Sequence, residues 1–149
     1  LIETPAAALI SQSLAKNCDF FAIGTNDLTM YTLATDRGDE EVANIYDPTH
    51  PSVLKLIKLT VNSAKDNNIP VSICGEMAGD TLFTMLLVGL NINSLSMGIS
   101  SILKIKQFLN YLSFSEAKKI SGEILNDDDN ISIKNKLEKY RNYVINNFS

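Results

Sequence analysis

Residues 19–33 have the sequence DFFAIGTNDLTMYTL, in which an apolar run passes through polar residues into a second amphipathic segment. The first part, residues 19–25, predicts a buried strand because the four apolar residues FFAI follow one another. The second part, residues 26–33, predicts a short helix. A strand that leads directly into a helix is typical of a parallel βα unit.

The same alternation continues on both sides of this stretch. Short apolar runs predict further strands at residues 71–74 and 93–97, and residues 1–3 are typical of the end of another strand, which stops at Glu3. Amphipathic or apolar segments predict helices at residues 4–16, 52–67, 80–89, 101–112 and 113–125, with a last helix after the acidic run at 127–129. Thr4 and Ser113 are the expected caps of two of these helices.

A closed eight-fold barrel needs about 250 residues. The chain has 149 residues, so four such units fit half of a barrel. The predicted fold class is α/β, the second half of a (β/α)8 TIM-type barrel with C-terminal helices. Residues 1–112 would form the half barrel, and residues 113–149 would form helices that pack on it. An open doubly wound sheet is the alternative architecture.

Composition excludes several classes of protein. Thirteen basic and seventeen acidic side chains give a net charge of −4, which argues against a general nucleic-acid binder. Apolar runs of only a few residues fall far short of the roughly 20 that a membrane span needs. Two cysteines and no signal-peptide pattern predict a cytoplasmic protein. Because the chain starts at Leu1, we expect it to be a piece of a longer polypeptide.

Polar residues follow the predicted strands where each strand ends. Glu3 ends one strand, and Asn26 and Asp27 follow the next. The carboxyl ends of parallel strands meet at one edge, so the carboxylates of Glu3 and Asp27 can converge there. Two carboxylates with water and substrate oxygens suit Mg²⁺. The alternative is that Asp27 caps its helix and Glu3 is a loop charge.

The two cysteines occupy different ends of their strands. Cys74 ends a strand at the edge where barrel enzymes carry out chemistry, whereas Cys18 precedes its strand and is predicted to be an inert buried thiol. A thiol at the position of Cys74 can act as a nucleophile or as a general acid. The sole histidine, His50, lies in a turn beside Pro51. A nucleophilic role for Cys74 therefore lacks an evident base.

Arg37 is the candidate anion-binding residue, because arginine binds phosphate or carboxylate groups through two parallel hydrogen bonds. It follows the short helix after Asp27, so it can return to the same edge of the sheet. An ordinary loop charge is the alternative interpretation.

Two motifs resemble signatures of the phosphoenolpyruvate-utilising enzymes, namely residues 21–31 (FAIGTNDLTMY) and residues 74–80 (CGEMAGD). Residues 36–53, which contain DRG and VANIYDPTHPSV, are similar to the phosphoenolpyruvate–protein phosphotransferase branch in particular. The similarity extends from residue 1 to about residue 112 and continues more weakly through the final helices.

The resemblance implies a β/α barrel that binds phosphoenolpyruvate and Mg²⁺ at the carboxyl ends of its strands. It implies that Glu3 and Asp27 ligate Mg²⁺, and that Asn26, Asp27 and Arg37 contact the substrate. It also implies that Cys74 protonates the methylene carbon as pyruvate forms. A thiol with an ordinary pKa of about 8.5 is mainly protonated at neutral pH, which suits that role.

The resemblance further implies transfer of phosphoryl to an enzyme histidine and on to the histidine-containing phosphocarrier protein of the sugar phosphotransferase system. The phosphorylated histidine would lie outside this chain, so we expect the fragment to be inactive alone. The complete protein is expected to be a homodimer. A pyruvate phosphate dikinase, a phosphoenolpyruvate synthase and a non-catalytic dimerisation module remain alternatives.

Overall fold

A small parallel sheet lies at the centre of the computed structural model, which describes residues 1–36, 42 and 45–147. Its strands are β1 (Phe21–Gly24), β2 (Val71–Cys74) and β3 (Ser94–Leu95), in the order β1-β2-β3. Ile2 forms a parallel bridge with Ile23 and so extends the sheet beyond β1. Four segments therefore lie side by side in the order in which the chain visits them.

Helices connect and cover these segments. In the described residues they are α1 (Pro5–Leu9), α2 (Ser11–Ala15), α3 (Thr25–Leu33), α4 (Pro51–Asp66), α5 (Thr81–Gly89), α6 (Ile99–Asn110), α7 (Phe114–Leu125) and α8 (Asn130–Asn146), with a 3₁₀ helix at Glu76–Gly79. The predicted caps are confirmed, because Thr4 accepts from the N–H of Ala7 and Ser113 accepts from the N–H of Glu116. The α/β class is thus confirmed, and the barrel stays a prediction.

Three boundaries differ from the prediction. The predicted helix 4–16 is interrupted at Ile10, and the buried hydroxyl of Ser11 donates to Ser63 Oγ of α4 over 2.8 Å. That bond ties α2 to α4 separately from α1. The strand predicted at 19–25 begins at Phe21, whose N–H bonds to the carbonyl of Pro70, and the third strand is shorter than residues 93–97.

The segment before β1 faces solvent, which overturns two predictions. Phe20 is 62% exposed, although the apolar run placed it in a buried strand. The prediction of a buried Cys18 was wrong, because this thiol is also exposed. Both residues precede the first sheet hydrogen bond of β1, so neither side chain is covered by the sheet.

Helix α7 packs closely on α5, which lies almost entirely in the core. Gly89 makes this packing possible, because a Cβ atom there would lie 2.2 Å from the carbonyl oxygen of Ala117 and 2.5 Å from Ser121 Cβ. Helix α8 buries Ile133 and Leu137 and also packs against α5. The C-terminal helices therefore share one core with the sheet, and a boundary at residue 112 stays a prediction.

Candidate active site

A cleft opens at the carboxyl end of the sheet, where β2 and β3 end and α3 begins. It has a volume of about 480 Å³. The residues that line it are Asn26, Cys74, Gly75, Glu76, Gly79, Ser96, Met97, Gly98 and Ser101. Two predicted site residues, Asn26 and Cys74, therefore line one cleft although they are far apart in the sequence.

Glu3 reaches this end of the sheet from the segment beside β1. Its side chain lies against Gly24, the last residue of β1, because a Cβ atom at Gly24 would be 2.7 Å from Glu3 Cγ and 2.8 Å from Glu3 Oε1. The missing side chain at Gly24 thus provides the space for the carboxyl group. Asp27 lies in the first turn of α3, three residues further along the chain, and is half-buried.

Glu3 and Asp27 both influence the pKa of the Cys74 thiol. Burial raises the pKa of the half-buried Cys74 thiol, and the negative charges of Glu3 and Asp27 raise it further. The positive charge of the Leu1 amino group acts in the opposite direction. Both carboxylates therefore act on the same thiol, and their negative charge further favours its protonated form.

Asn26 is held in one orientation by the turn that follows β2. Its Oδ1 accepts a hydrogen bond from the backbone N–H of Glu76 over 3.1 Å. Only the oxygen of the amide group can accept from an N–H donor. The NH₂ group of Asn26 is therefore the part of the amide that remains for a ligand in the cleft, and a donor suits an anion.

Sequence reasoning missed Thr25 and the serines of the cleft. The hydroxyl of Thr25 donates to the carbonyl oxygen of Cys74 over 2.8 Å, from the residue just before Asn26. Ser96, just after β3, and Ser101, in the first turn of α6, also line the cleft. For Thr25 and Ser96 the position directly after a strand end was the available signal, because that is where the side chains of parallel βα units meet.

The donor set fits a magnesium ion bound together with a substrate. Among the described residues, no group of three or more His, Cys, Asp or Glu side chains is placed to hold a metal ion. Mg²⁺, however, is commonly bound through one or two carboxylates, substrate phosphate oxygens and water. The carboxylates of Glu3 and Asp27 are hard oxygen ligands of the kind that such an arrangement uses.

Two further residues of the sequence analysis are Arg37 and His50. Arg37, predicted to bind the substrate, is outside the described residues. His50 caps α4, because its Nδ1 accepts from the N–H of Ser52 over 3.2 Å, and this agrees with a structural role. Across residues 1–36, 42 and 45–147, no helix is long and apolar enough to cross a membrane.

Comparison with known proteins places the chain in a family. Residues 1–114 match the family described as PEP-utilising enzyme, PEP-binding domain, where PEP is phosphoenolpyruvate. The chain therefore belongs to this family, as its two motifs predicted.

Curated relatives carry the name phosphoenolpyruvate-protein phosphotransferase. The protein from Buchnera aphidicola of Acyrthosiphon pisum is 46% identical over 96% of this chain and 25% of its own length. The protein from Borreliella burgdorferi is 48% identical over 86% of this chain and 22% of its own length. The protein from Mycoplasma capricolum is 39% identical over 95% of this chain and 25% of its own length. The chain thus spans about a quarter of the length of these relatives.

Proposed function

We propose that this chain is part of the phosphoenolpyruvate-binding domain of a phosphoenolpyruvate–protein phosphotransferase. The complete enzyme transfers phosphoryl from phosphoenolpyruvate to its own histidine and then to the phosphocarrier protein of the sugar phosphotransferase system, with release of pyruvate. The observation that carries the proposal is that Asn26 and Cys74 line one cleft at the carboxyl end of the sheet, with the Glu3 side chain against the last residue of β1. We also propose that the complete protein is cytoplasmic and homodimeric.

The proposed architecture is the second half of a (β/α)8 barrel in residues 1–112, with residues 113–149 packed on it. The parallel segments support it, because they follow one another in chain order. A doubly wound sheet instead reverses its strand order at a switch point. The position of the cleft fits both architectures, since barrels and doubly wound sheets place their sites at the carboxyl ends of the strands, so the strand order carries this choice.

The proposed role of Glu3 and Asp27 is to hold Mg²⁺. When bound, Mg²⁺ offsets negative charge on the phosphoryl group as it is transferred. The NH₂ group of Asn26 would donate to a phosphate oxygen, and Arg37 would add a bidentate contact. Phosphoryl transfer depends mainly on positioning and electrostatic stabilisation, and these side chains supply both.

The proposed role of Cys74 is that of general acid. Once the phosphoryl group has passed to the histidine, the remaining enolate must gain a proton at its methylene carbon to become pyruvate. The S–H bond of Cys74 breaks, the new C–H bond forms, and the thiolate is later protonated by solvent. A raised pKa suits this step because it keeps the proton on sulfur until the enolate forms.

The direct test is pyruvate formation by the complete polypeptide, supplied with phosphoenolpyruvate, Mg²⁺ and the phosphocarrier protein. We expect Cys74→Ala to lower the rate by roughly a hundredfold or more, because a general acid contributes on that order. Cys18→Ala is the matched control, since this thiol is exposed before β1, at the opposite end of the sheet. Equal rates for Cys74→Ala and the unsubstituted enzyme would refute the proposed role.

A further inference from the structure

Where β1 and β2 end, a side-chain hydroxyl bonds to a backbone carbonyl across the two strands. Phe21 N–H donates to the carbonyl of Pro70, and the parallel register pairs Gly24 with Cys74. In this parallel ladder every second residue of β1 donates its N–H to a carbonyl of β2. The carbonyl that lies opposite Thr25 is therefore that of Cys74. The Thr25 hydroxyl donates to that carbonyl over 2.8 Å, at the point where the chain enters α3.

The residue after Cys74 leaves room for this hydroxyl. A Cβ atom at Gly75 would lie only 2.5 Å from Thr25 Oγ1, and Gly75 has a φ of +94°, which glycine adopts readily. Thr25 itself is 1% exposed, so its side chain acts within the protein rather than on a ligand in the cleft. The hydroxyl therefore fills a space formed by the sharp turn that follows the thiol.

The thiol of Cys74 lies on the same short segment. Its Sγ donates to the carbonyl of Ile23 at 3.4 Å, one strand away. Thr25 thus holds the backbone of Cys74 at its carbonyl, while the S–H group of Cys74 donates to the backbone of β1. Loss of the Thr25 bond would release the carbonyl at the point where the chain turns and so would alter the direction of the thiol.

We propose that Thr25 is a positioning residue that fixes the Cys74 turn and thereby aims the thiol into the cleft. The catalytic part of this inference rests on the proposed function, whereas the structural part concerns the accessibility of Cys74 alone. Thr25→Val removes the hydroxyl and keeps the branched shape of the side chain. Thr25→Ser keeps the hydroxyl and is the matched control.

The experiment measures turnover and thiol accessibility in the complete polypeptide. We expect Thr25→Val to lower kcat for pyruvate formation by roughly tenfold to a hundredfold, the cost of a misplaced reacting group. The KM for phosphoenolpyruvate should change by less than about twofold. Alkylation of Cys74 by iodoacetamide at fixed pH should accelerate at least about threefold as the turn opens more often, with Cys18 as the internal reference. Thr25→Ser should restore both readouts.

The outcomes separate this inference from the proposed function. If a folded Thr25→Val enzyme keeps its kcat and its alkylation rate, or if Thr25→Ser is equally impaired, the inference is wrong. A rise in KM at constant kcat would also overturn it, because that pattern indicates substrate binding. If the unsubstituted enzyme releases no pyruvate, the proposed function fails, and the alkylation comparison still decides the role of Thr25. Thr25→Ala replaces Thr25→Val in both measurements should the valine variant not fold.

Discussion

Asn26 Oδ1 accepts a hydrogen bond from the backbone N–H of Glu76, which joins the first turn of α3 to the turn that follows β2. The residues are 50 positions apart in sequence. This bond therefore links the proposed phosphate contact to the turn that follows Cys74. A side chain at position 26 must both accept from Glu76 and offer a donor to the cleft.

Asn26→Asp separates these two tasks. An aspartate oxygen can still accept from Glu76, but it offers no NH₂ donor and adds a negative charge facing an anionic substrate. We expect the KM for phosphoenolpyruvate to rise at least about tenfold in steady-state assays, the loss of one charge-assisted hydrogen bond. Asn26→Ser, which retains a hydroxyl donor, should be less impaired. An unchanged KM in Asn26→Asp would exclude Asn26 from phosphate binding.

Magnesium should increase the reactivity of Cys74. Negative charge on Glu3 and Asp27 raises the pKa of this thiol, so a bound cation that offsets the charge lowers it again. More thiolate is then present at any fixed pH near neutrality, and alkylation of Cys74 should accelerate relative to that of Cys18. Without Mg²⁺, alkylation of Cys74 should become rapid only at a pH above the range in which ordinary thiols ionise.

Asp27→Asn is the matched variant for this measurement, read by mass spectrometry of the alkylated protein. It removes one of the charges that raise the pKa of Cys74, so its metal-free alkylation should be faster than that of the unsubstituted protein. It should also abolish the response to Mg²⁺. An equal response to Mg²⁺ with and without the Asp27 carboxylate would mean that the ion binds elsewhere.

Two glycines of the α5–α7 pair should respond to alanine in opposite directions. Gly89→Ala places a methyl group 2.2 Å from the carbonyl oxygen of Ala117, so the helices must separate. We expect a loss of about 1–3 kcal/mol in the free energy of unfolding, which is typical of overpacking. A Cβ at Gly122 has no neighbour within 4 Å, so Gly122→Ala should stabilise α7 by about 0.5–1 kcal/mol.

The urea midpoint of the unfolding transition measures both glycine variants in the complete polypeptide. Gly122→Ala serves as the control for the change of residue type, because both substitutions add the same methyl group. A Gly89→Ala protein as stable as its parent would mean that α7 does not pack on α5 in this way.

Asp47 should make the stability of this chain sensitive to acid. Burial alone would raise the pKa of Asp47, but hydrogen bonds from Thr49 and Asn130 and the charge of Lys134 lower it overall. Asn130 Nδ2 donates to Asp47 Oδ2 over 2.8 Å, which ties the segment before α4 to the start of α8. The ionised carboxylate therefore stabilises the folded state above the ordinary pKa of about 4, and this stabilisation is lost as the pH falls below it.

Urea unfolding at several pH values tests this prediction. Asp47→Ala should cost about 1–2 kcal/mol at neutral pH, because hydrogen bonds to a charged group are lost. Its difference from the parent should shrink as the pH falls below about 4. Asp128→Ala is the control, since the Lys55–Asp128 ion pair is exposed and such pairs contribute little. A difference that is independent of pH would contradict the role of the ionised Asp47.

Local signals predicted much of the fold. The strand at Val71–Cys74 has the predicted bounds because an apolar run between polar residues is a local pattern. The break at Ile10 was not predictable, since it accompanies the contact of Ser11 with Ser63, 52 positions away. The same applies to Thr25, whose partner Cys74 is 49 positions away. Sequence patterns predicted the candidate site residues, and hydrogen bonds between distant residues determine how Asn26 and the turn after β2 are held.

The measurement that tests the central claim uses the complete polypeptide with Mg²⁺, radiolabelled phosphoenolpyruvate and the purified phosphocarrier protein, without nucleotide. We predict label on the carrier for the unsubstituted enzyme and its loss in Asp27→Ala, with Asp128→Ala as the control that keeps it. Label that persists in Asp27→Ala would contradict the proposed metal site. No label without nucleotide, but pyruvate formation once AMP is supplied with phosphate or pyrophosphate, would contradict the proposed reaction and favour a dikinase or synthase.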